Sequence, residues 1–285
     1  MKLLLAYNPH SGKNRIGKNL DYILSVLKQK YEVDVYESEA PKSISTYIEK
    51  LEIEYDVIML CGGDGTVNEG INGIMRSKYR PKIALIPTGT TNDFVNNFGI
   101  KKNIKKALQI LLDGNTKNHM IYKANDQYFD YVSCLGMMTD ITYQDKPKKF
   151  GTFSYYLRCI KGIFTCKHIK AKVFFDGKEV HDGKTAMIMI TNSNHACGYK
   201  IKKYDKLGCV IIKGNKLSFA LQFAWFLWFH KAKHFYLCNE VLIETDNKEF
   251  NLDGERGIVV DNKIDIKPVE ELTFFSKKKK EKKKK

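Results

Sequence analysis

The first 120 residues or so alternate between two hydrophobic periods. Residues 3–7 form a short apolar run of strand type that ends in the turn-rich stretch Asn8-Pro9-His10-Ser11-Gly12-Lys13. Leu20, Ile23, Leu24 and Leu27 then recur three and four apart, the spacing of one helix face. Residues 33–36 alternate like a strand, 44–51 read as a helix, and 56–60 as a buried strand. A glycine-rich loop leads from there to a helix predicted from about Val67 to Arg76. Residues 83–86 are a strand stopped by Pro87-Thr88-Gly89, and 104–112 a helix ending near Gly114. Strands separated by helices of this length predict βαβ units and a parallel sheet covered on both faces.

From about residue 118 short β-rich runs dominate, at 119–123, 128–134, 171–175, 185–191, 209–213, 241–244 and 264–266. Asp176-Gly177 supplies a hairpin signal between two of them. Residues 150–164 and 217–229 are the helices this half offers. The predicted class is therefore α/β: an α/β nucleotide-type domain over 1–118 and a mostly antiparallel, β-rich domain over 119–276. The run 264–275 either ends the second domain or returns to the first; periodicity leaves both open.

Composition adds limits. A chain of 285 residues buries a sizeable core and is long enough for two domains. With 43% hydrophobic and 28% charged residues it is neither disordered nor membrane-spanning in type. Its longest apolar stretch, 217–229, is shorter than the roughly 20 residues a bilayer helix needs. The chain opens on KLLLAY, without the apolar region and cleavage site of a secretory signal. Its seven cysteines are scattered, with neither a C-x-x-C pair nor zinc-type spacing, which predicts a reducing cytoplasm. The formal charge is +16, of which the final nine residues, KKKKEKKKK, carry +7. Like charges so dense predict a disordered tail over 277–285. It would attract anionic headgroups at about 1 kcal/mol per lysine near the surface, and charge alone also admits nucleic acid.

The strongest local chemistry is Cys61-Gly62-Gly63-Asp64-Gly65-Thr66-Val67-Asn68-Glu69, directly after a strand. Glycines let a backbone approach a ligand closely, and the following helix offers free N–H groups to an anion. Asp64 inside a phosphate loop is electrostatically wrong without a divalent cation, so the loop points to Mg²⁺ as well as phosphate. The plainer reading is a tight turn with Asp64 or Thr66 capping the helix. Pro87-Thr88-Gly89-Thr90-Thr91-Asn92-Asp93-Phe94 repeats the arrangement after the next strand, and the 8–13 stretch falls on the same edge. In an open α/β sheet, loops at the carboxyl ends of neighbouring strands line one crevice.

These three runs together resemble the diacylglycerol kinase catalytic-domain family, which takes in soluble bacterial lipid kinases and the sphingosine and ceramide kinases. Gly-Gly-Asp-Gly is shared with NAD kinases and 6-phosphofructokinases; the P-T-G-T-T-N-D-F run favours the lipid kinases. The likeness continues at 151–157, 231–235 and Leu252-Asp253-Gly254-Glu255. It implies ATP as phosphoryl donor and Mg²⁺. The nucleotide would lie along Asn8, Pro9, His10, Ser11 and Gly12, along Gly63, Asp64, Gly65, Thr66, Val67, Asn68 and Glu69, and at Ser38 and Thr90. Asp64 and Asp93 match the family's magnesium–water network. Asp253 and Glu255 match its catalytic acids, one of them the base for the lipid hydroxyl. On sequence alone Asp253-Gly254 is also an ordinary turn dipeptide.

One stretch departs from the pattern. Some relatives hold a structural magnesium there, and Asp205 and Leu207 keep the frame, but Lys202 stands where a small or hydroxyl residue is usual. The aromatic run Phe219, Phe223, Trp225, Phe226, Trp228 and Phe229, followed by His230-Lys231-Ala232-Lys233-His234, fits either a membrane interface or a helix packed on the β domain.

The resulting expectation is a kinase passing the ATP γ-phosphate to a lipid hydroxyl, diacylglycerol giving phosphatidic acid first among acceptors. It would work peripherally at the inner face of the membrane, docked through its basic tail. A homodimer is possible, and no nucleic-acid partner is expected. The rival readings are an enzyme phosphorylating a soluble acceptor such as NAD, and a silent lipid- or nucleotide-binding regulator.

Overall fold

The structure is a computed structural model that describes residues 1–90, 92–136, 139, 168–193, 195–196, 199–200, 206–213, 221–222 and 235–278. The chain divides into two compact units, Met1–His119 with Glu271–Lys285, and Met120–Glu270.

In the first unit the chain runs β1 (Lys2–Tyr7), α1 (Leu20–Leu27), β2 (Glu32–Glu37), α2 (Ser43–Glu49), β3 (Val57–Gly62), α3 (Asp64–Arg76), β4 (Lys82–Pro87) and α4 (Ile104–Asp113). The strands are parallel in the order β2-β1-β3-β4. Every residue of β3, and all but the first of β1 and β4, is buried. Such near-continuous apolar runs are what a parallel sheet covered on both faces requires. The edge strand β2 is more polar and mostly exposed. The Asn103 side chain caps α4 by accepting the Lys106 N–H (3.0 Å), and Gly114 closes that helix in the left-handed conformation.

The second unit is antiparallel. Strand β5 (Thr116–Ala124) enters it and pairs with β6 (Gln127–Phe129). Next come β7 (Val132–Gly136), β8 (Ile169–Phe175), β9 (Lys178–Thr191) and a two-residue ribbon, β10 (His195–Ala196) with β11 (Tyr199–Lys200). They are followed by β12 (Leu207–Lys213), β13 (Phe235–Cys238), β14 (Val241–Thr245), β15 (Glu249–Leu252), β16 (Glu255–Ile258) and β17 (Lys263–Phe275). The ladder runs β16-β15-β7-β9-β8-β14-β17, with β12 also on β9 and β13 on β12. Its core includes Phe129, Val173, Ile188, Ile190, Phe250 and Ile266. Asp176 and Gly177, both at positive φ, make the predicted hairpin turn between β8 and β9.

The α/β class and the change from parallel to antiparallel pairing agree with the sequence reading. Two details differ, and a third is the one that periodicity leaves open. The helix after the glycine loop starts at Asp64 rather than near Val67, because Gly63 is the extended N-cap and Asp64-Gly65-Thr66 already form the first turn. The second loop opens onto the short 3₁₀ segment Phe94–Phe98, which left-handed Gly99 ends. Strand β17 continues far past Ile266, and its last residues belong to the first unit, where Phe274 lies parallel to Ile83 and its ring stacks on Phe98 at 4.5 Å. The expected helix at 150–164 lies outside the described residues, as does that at 217–229 apart from Leu221 and Gln222, and so does the tail from residue 279. Among the described residues no helix is long and apolar enough to cross a membrane.

Candidate active site

Three loops meet at the carboxyl edge of the first unit's sheet because the strand ends are in register: Tyr7 faces Cys61, and Cys61 faces Ile86. Backbone bonds continue past the strands, from Asn8 N–H to the Cys61 carbonyl (3.1 Å) and from Thr88 N–H to the Gly62 carbonyl (2.8 Å). Asn8 closes a tight turn over Pro9 and His10: its carbonyl accepts the Ser11 N–H (3.1 Å) and its Oδ1 accepts the His10 N–H (2.8 Å). The Thr88 hydroxyl donates to Ser11 Oγ at 3.0 Å, tying the first loop to the third. Ser38 sits on the same edge, its N–H bonded to the Tyr7 carbonyl (2.9 Å) and its Oγ 3.0 Å from Ser43 Oγ.

Glycine is required where these loops touch. Gly12 has φ +58°, and a Cβ there would run into the Thr88 carbonyl oxygen. A Cβ on Gly89 would lie 2.6 Å from the Gly63 Cα. Gly12→Ala is therefore expected to lose at least about 1–3 kcal/mol, the usual range for a strained backbone position. Urea unfolding checks this, and an unchanged midpoint would show that the loop is not held against Thr88. Gly65 differs: nothing lies within 4 Å of the place its Cβ would take. Glycine in a helix costs about 0.5–1 kcal/mol against alanine, so its presence where packing does not demand it fits close approach by a ligand. The amides of Asp64, Gly65 and Thr66 precede the first bond of α3, Val67 N–H to the Gly63 carbonyl, and form the positive end of its dipole.

The predicted residues of this run divide by role. Thr66 and Val67 are buried and contribute backbone; the Thr66 side chain packs over Gly62. Asn68 and Glu69 are half-buried on α3, with Asn72 Nδ2 bonded to the Asn68 carbonyl (3.0 Å). Thr90 is exposed, and its carbonyl accepts the Lys102 ammonium.

Asp64 is the first residue of α3, and one carboxylate oxygen accepts the Phe94 N–H at 3.2 Å. Burial raises its carboxyl above the usual carboxylate range and the charge of Asp93 adds to this, while amides of Phe94, Asp93 and Asn92 pull the other way. Asp93 is 2% exposed, which favours a positioning part over direct contact with a ligand. Phe94 pins the stretch beneath them, its ring edge-on to Phe274 (5.5 Å) and His119 (5.1 Å).

Two neighbouring carboxylates beside a glycine loop and a helix start fit a divalent cation that phosphate oxygens and water would help to hold. Among the described residues no three His, Cys, Asp or Glu gather into a protein-only metal cluster. Of the expected structural-metal pair, Asp205 lies outside the described residues. Leu207 opens β12 with its side chain fully buried in the second core.

In the second unit Asp253 lies on the turn between β15 and β16 and Glu255 opens β16, and they behave differently. Asp253 is left-handed (φ +52°) and its carboxylate is committed to protein. It accepts the N–H groups of Asp130 (2.9 Å), Tyr131 (3.1 Å) and Val132 (2.6 Å), while its own N–H bonds the Val132 carbonyl (2.8 Å). Glu255, two residues on, is exposed.

Sequence reasoning missed Thr88, Asn92, Lys102 and Asp130. Thr88 and Asn92 both lie in the 87–94 run; the φ of +54° at Asn92 and its bonds to both the N–H and the carbonyl of Gly89 mark it as the clasp of the third loop. Asp130 carries no local signal, because its partner lies 123 residues away.

Residues 2–124 match the sequence profile of the diacylglycerol kinase catalytic domain. A diacylglycerol kinase of Staphylococcus epidermidis is 31% identical over 201 residues, which cover 69% of this chain and 63% of the relative. Residues 2–124 belong to the diacylglycerol kinase catalytic-domain family. A Staphylococcus aureus diacylglycerol kinase shows the same 31% identity, over 69% of this chain and 64% of its own length, so the chain spans a little under two thirds of these relatives. Among solved structures, a diacylglycerol kinase from Bacillus anthracis str. Sterne superposes with a TM-score of 0.78 at 23% identity, covering 97% of each chain. An NAD kinase from Archaeoglobus fulgidus in complex with ATP gives 0.57 at 16% identity, over 97% of this chain and 94% of that one. At such identities the two structures establish a shared fold and nothing finer.

Proposed function

We propose that this protein is an ATP-dependent lipid kinase that transfers the γ-phosphate of ATP to the hydroxyl of diacylglycerol, giving phosphatidic acid. The observation that carries the nucleotide part is the loop edge of the first unit, where Asp64 stands at the start of α3 among touching glycine loops. The acceptor part rests on relatives named diacylglycerol kinase at 31% identity.

The phosphates lie against the Asn8–Gly12 turn and the first amides of α3, with Ser38 and Thr90 flanking the nucleoside. Asp64, with Asp93 behind it, would hold Mg²⁺, which would supply neutralisation of phosphate charge. Phosphoryl transfer asks mainly for alignment and charge neutralisation, and both are within reach of such a set. Glu255 accepts the proton of the lipid hydroxyl: it is exposed, whereas the carboxylate of Asp253 already receives three amide bonds. Work at a membrane surface, with the lysine-rich end drawn to anionic lipid, is part of the same proposal.

The Gly62-Gly63-Asp64-Gly65 run, a motif shared with NAD kinases, keeps a soluble acceptor as the second reading. Both are tested by presenting γ-labelled ATP with diacylglycerol, phosphatidylglycerol, sphingosine, undecaprenol and NAD. Label in an organic-extractable product is expected; label in NAD alone would reject the lipid reading.

A further inference from the structure

The turn that leads into Glu255 is held by a second acid. Asp130 is 1% exposed and lies between β6 and β7. Its N–H donates to Asp253 Oδ2 at 2.9 Å, and its side chain also hydrogen-bonds the Asp253 carboxyl. The N–H groups of Tyr131 and Val132 take the other oxygen, Oδ1, at 3.1 and 2.6 Å. A bond between two carboxyl groups needs a proton on one of them, and two adjacent buried carboxylates cannot both ionise at neutral pH without a large penalty. We propose that Asp130 is a positioning residue: with Asp253 it shares a single proton that locks the Asp253-Gly254 turn and thereby sets Glu255. The link to Glu255 rests on the proposed lipid kinase reading; the shared proton does not.

Several observations agree. Asp253 holds a left-handed φ of +52°, a conformation uncommon without glycine, so something must compensate. Four hydrogen bonds between residue 253 and residues 130–132 do so, and Asn251 Oδ1 accepts the Gly254 N–H at 3.3 Å from the other side. Burial pushes the Asp253 carboxyl up, against the pull of the Asp130 side chain and of the three amides. The other titratable groups on the elements packed there are Tyr128, Tyr131, Cys134, Glu249, Glu255 and Arg256. Of these Arg256 is turned to Glu249 in an exposed pair at 3.5 Å. The end of β9 that lies against β7, residues 187–191, brings no ionisable side chain.

The sign of the effect follows from linkage. The fold keeps a proton that the unfolded chain releases near pH 4, so this pair's contribution to stability falls as pH rises from about 4 to the pair's upper step. Asp130→Asn supplies a permanent amide donor in place of the acid and removes that fall; Asp130→Ala removes the donor. The test compares urea stability against pH for the wild type and both variants, with hydrogen exchange of the Tyr131 and Val132 amides and lipid kinase turnover. Asp130→Asn is expected to lack the wild-type decline, keep slow exchange and keep kcat within about threefold. Asp130→Ala is expected to exchange faster and to lose at least tenfold in kcat with KM for ATP unchanged. Equal pH slopes in the wild type and Asp130→Asn, or an Asp130→Asn variant as damaged as Asp130→Ala, would overturn the proposal. The stability and exchange readings need no substrate, so a chain that phosphorylates no lipid still decides the shared proton and fails the kinase reading separately.

Discussion

Asp64→Asn is expected to lower phosphoryl transfer at least a hundredfold while making the metal-free protein more stable at neutral pH. The two effects have one cause. Burial and the neighbouring Asp93 raise the Asp64 carboxyl, so the fold holds a proton there more tightly than the unfolded chain does. A raised carboxyl adds stability that is full below the unfolded value and is lost as pH rises through the folded value. That stabilisation is lost as pH rises, and asparagine removes the loss while keeping an oxygen for the Phe94 N–H, now bonded at 3.2 Å. On the proposed function, Mg²⁺ bound with ATP would make the charge useful, and losing one preorganised electrostatic group in such a site costs about 10²–10³ in kcat. Thermal unfolding with and without Mg-ATP, beside a turnover assay, reads both sides. A variant that is destabilised, or that keeps near-normal turnover, would remove Asp64 from this role.

Glu255→Gln is expected to lower kcat by about 10²–10⁴, the range for a positioned acid–base group, with stability changed by less than about 0.5 kcal/mol. The side chain is exposed. Asp253→Ala contrasts with it. That variant loses a half-buried carboxylate that receives three amide bonds, and bonds to a charged acceptor are worth about 1.5–3 kcal/mol each. It is expected to lose stability as well as at least a hundredfold in turnover. Denaturation curves and steady-state rates on both variants separate the acid that acts from the acid that holds. An inactive, fully stable Asp253→Ala with an active Glu255→Gln would reverse the assignment.

Much of the first unit was legible from period and punctuation alone. Its strands are buried on both faces, so they read as unbroken apolar runs, and its loops sit where those runs stop at glycine and proline. What stayed hidden was set by distant partners. Phe274, which stacks on Phe98, lies beyond the whole second unit, and no local pattern distinguishes the two destinations of its strand. Asp64 was expected in a loop because glycines flank it; the helix starts there because Gly63 supplies an extended N-cap and the turn after it tolerates Gly65. In the second unit the short strands at 235–238, 249–252 and 255–258 have too few residues for a clear alternation, and their pairing with β12, β7 and β15 respectively decides them. Asp253 and Glu255 look alike in sequence. Only the amides of residues 130–132, brought in from far along the chain, tell them apart.

The central claim is tested most directly by identifying the product. The protein is incubated with Mg²⁺, ATP carrying ¹⁸O in its γ-phosphate, and diacylglycerol in anionic mixed micelles, with NAD in a parallel reaction, and products are read by mass spectrometry. ¹⁸O-labelled phosphatidic acid is expected, formed by the wild type and reduced at least a hundredfold in Asp64→Asn. No labelled lipid, or label found in NADP instead, would contradict it.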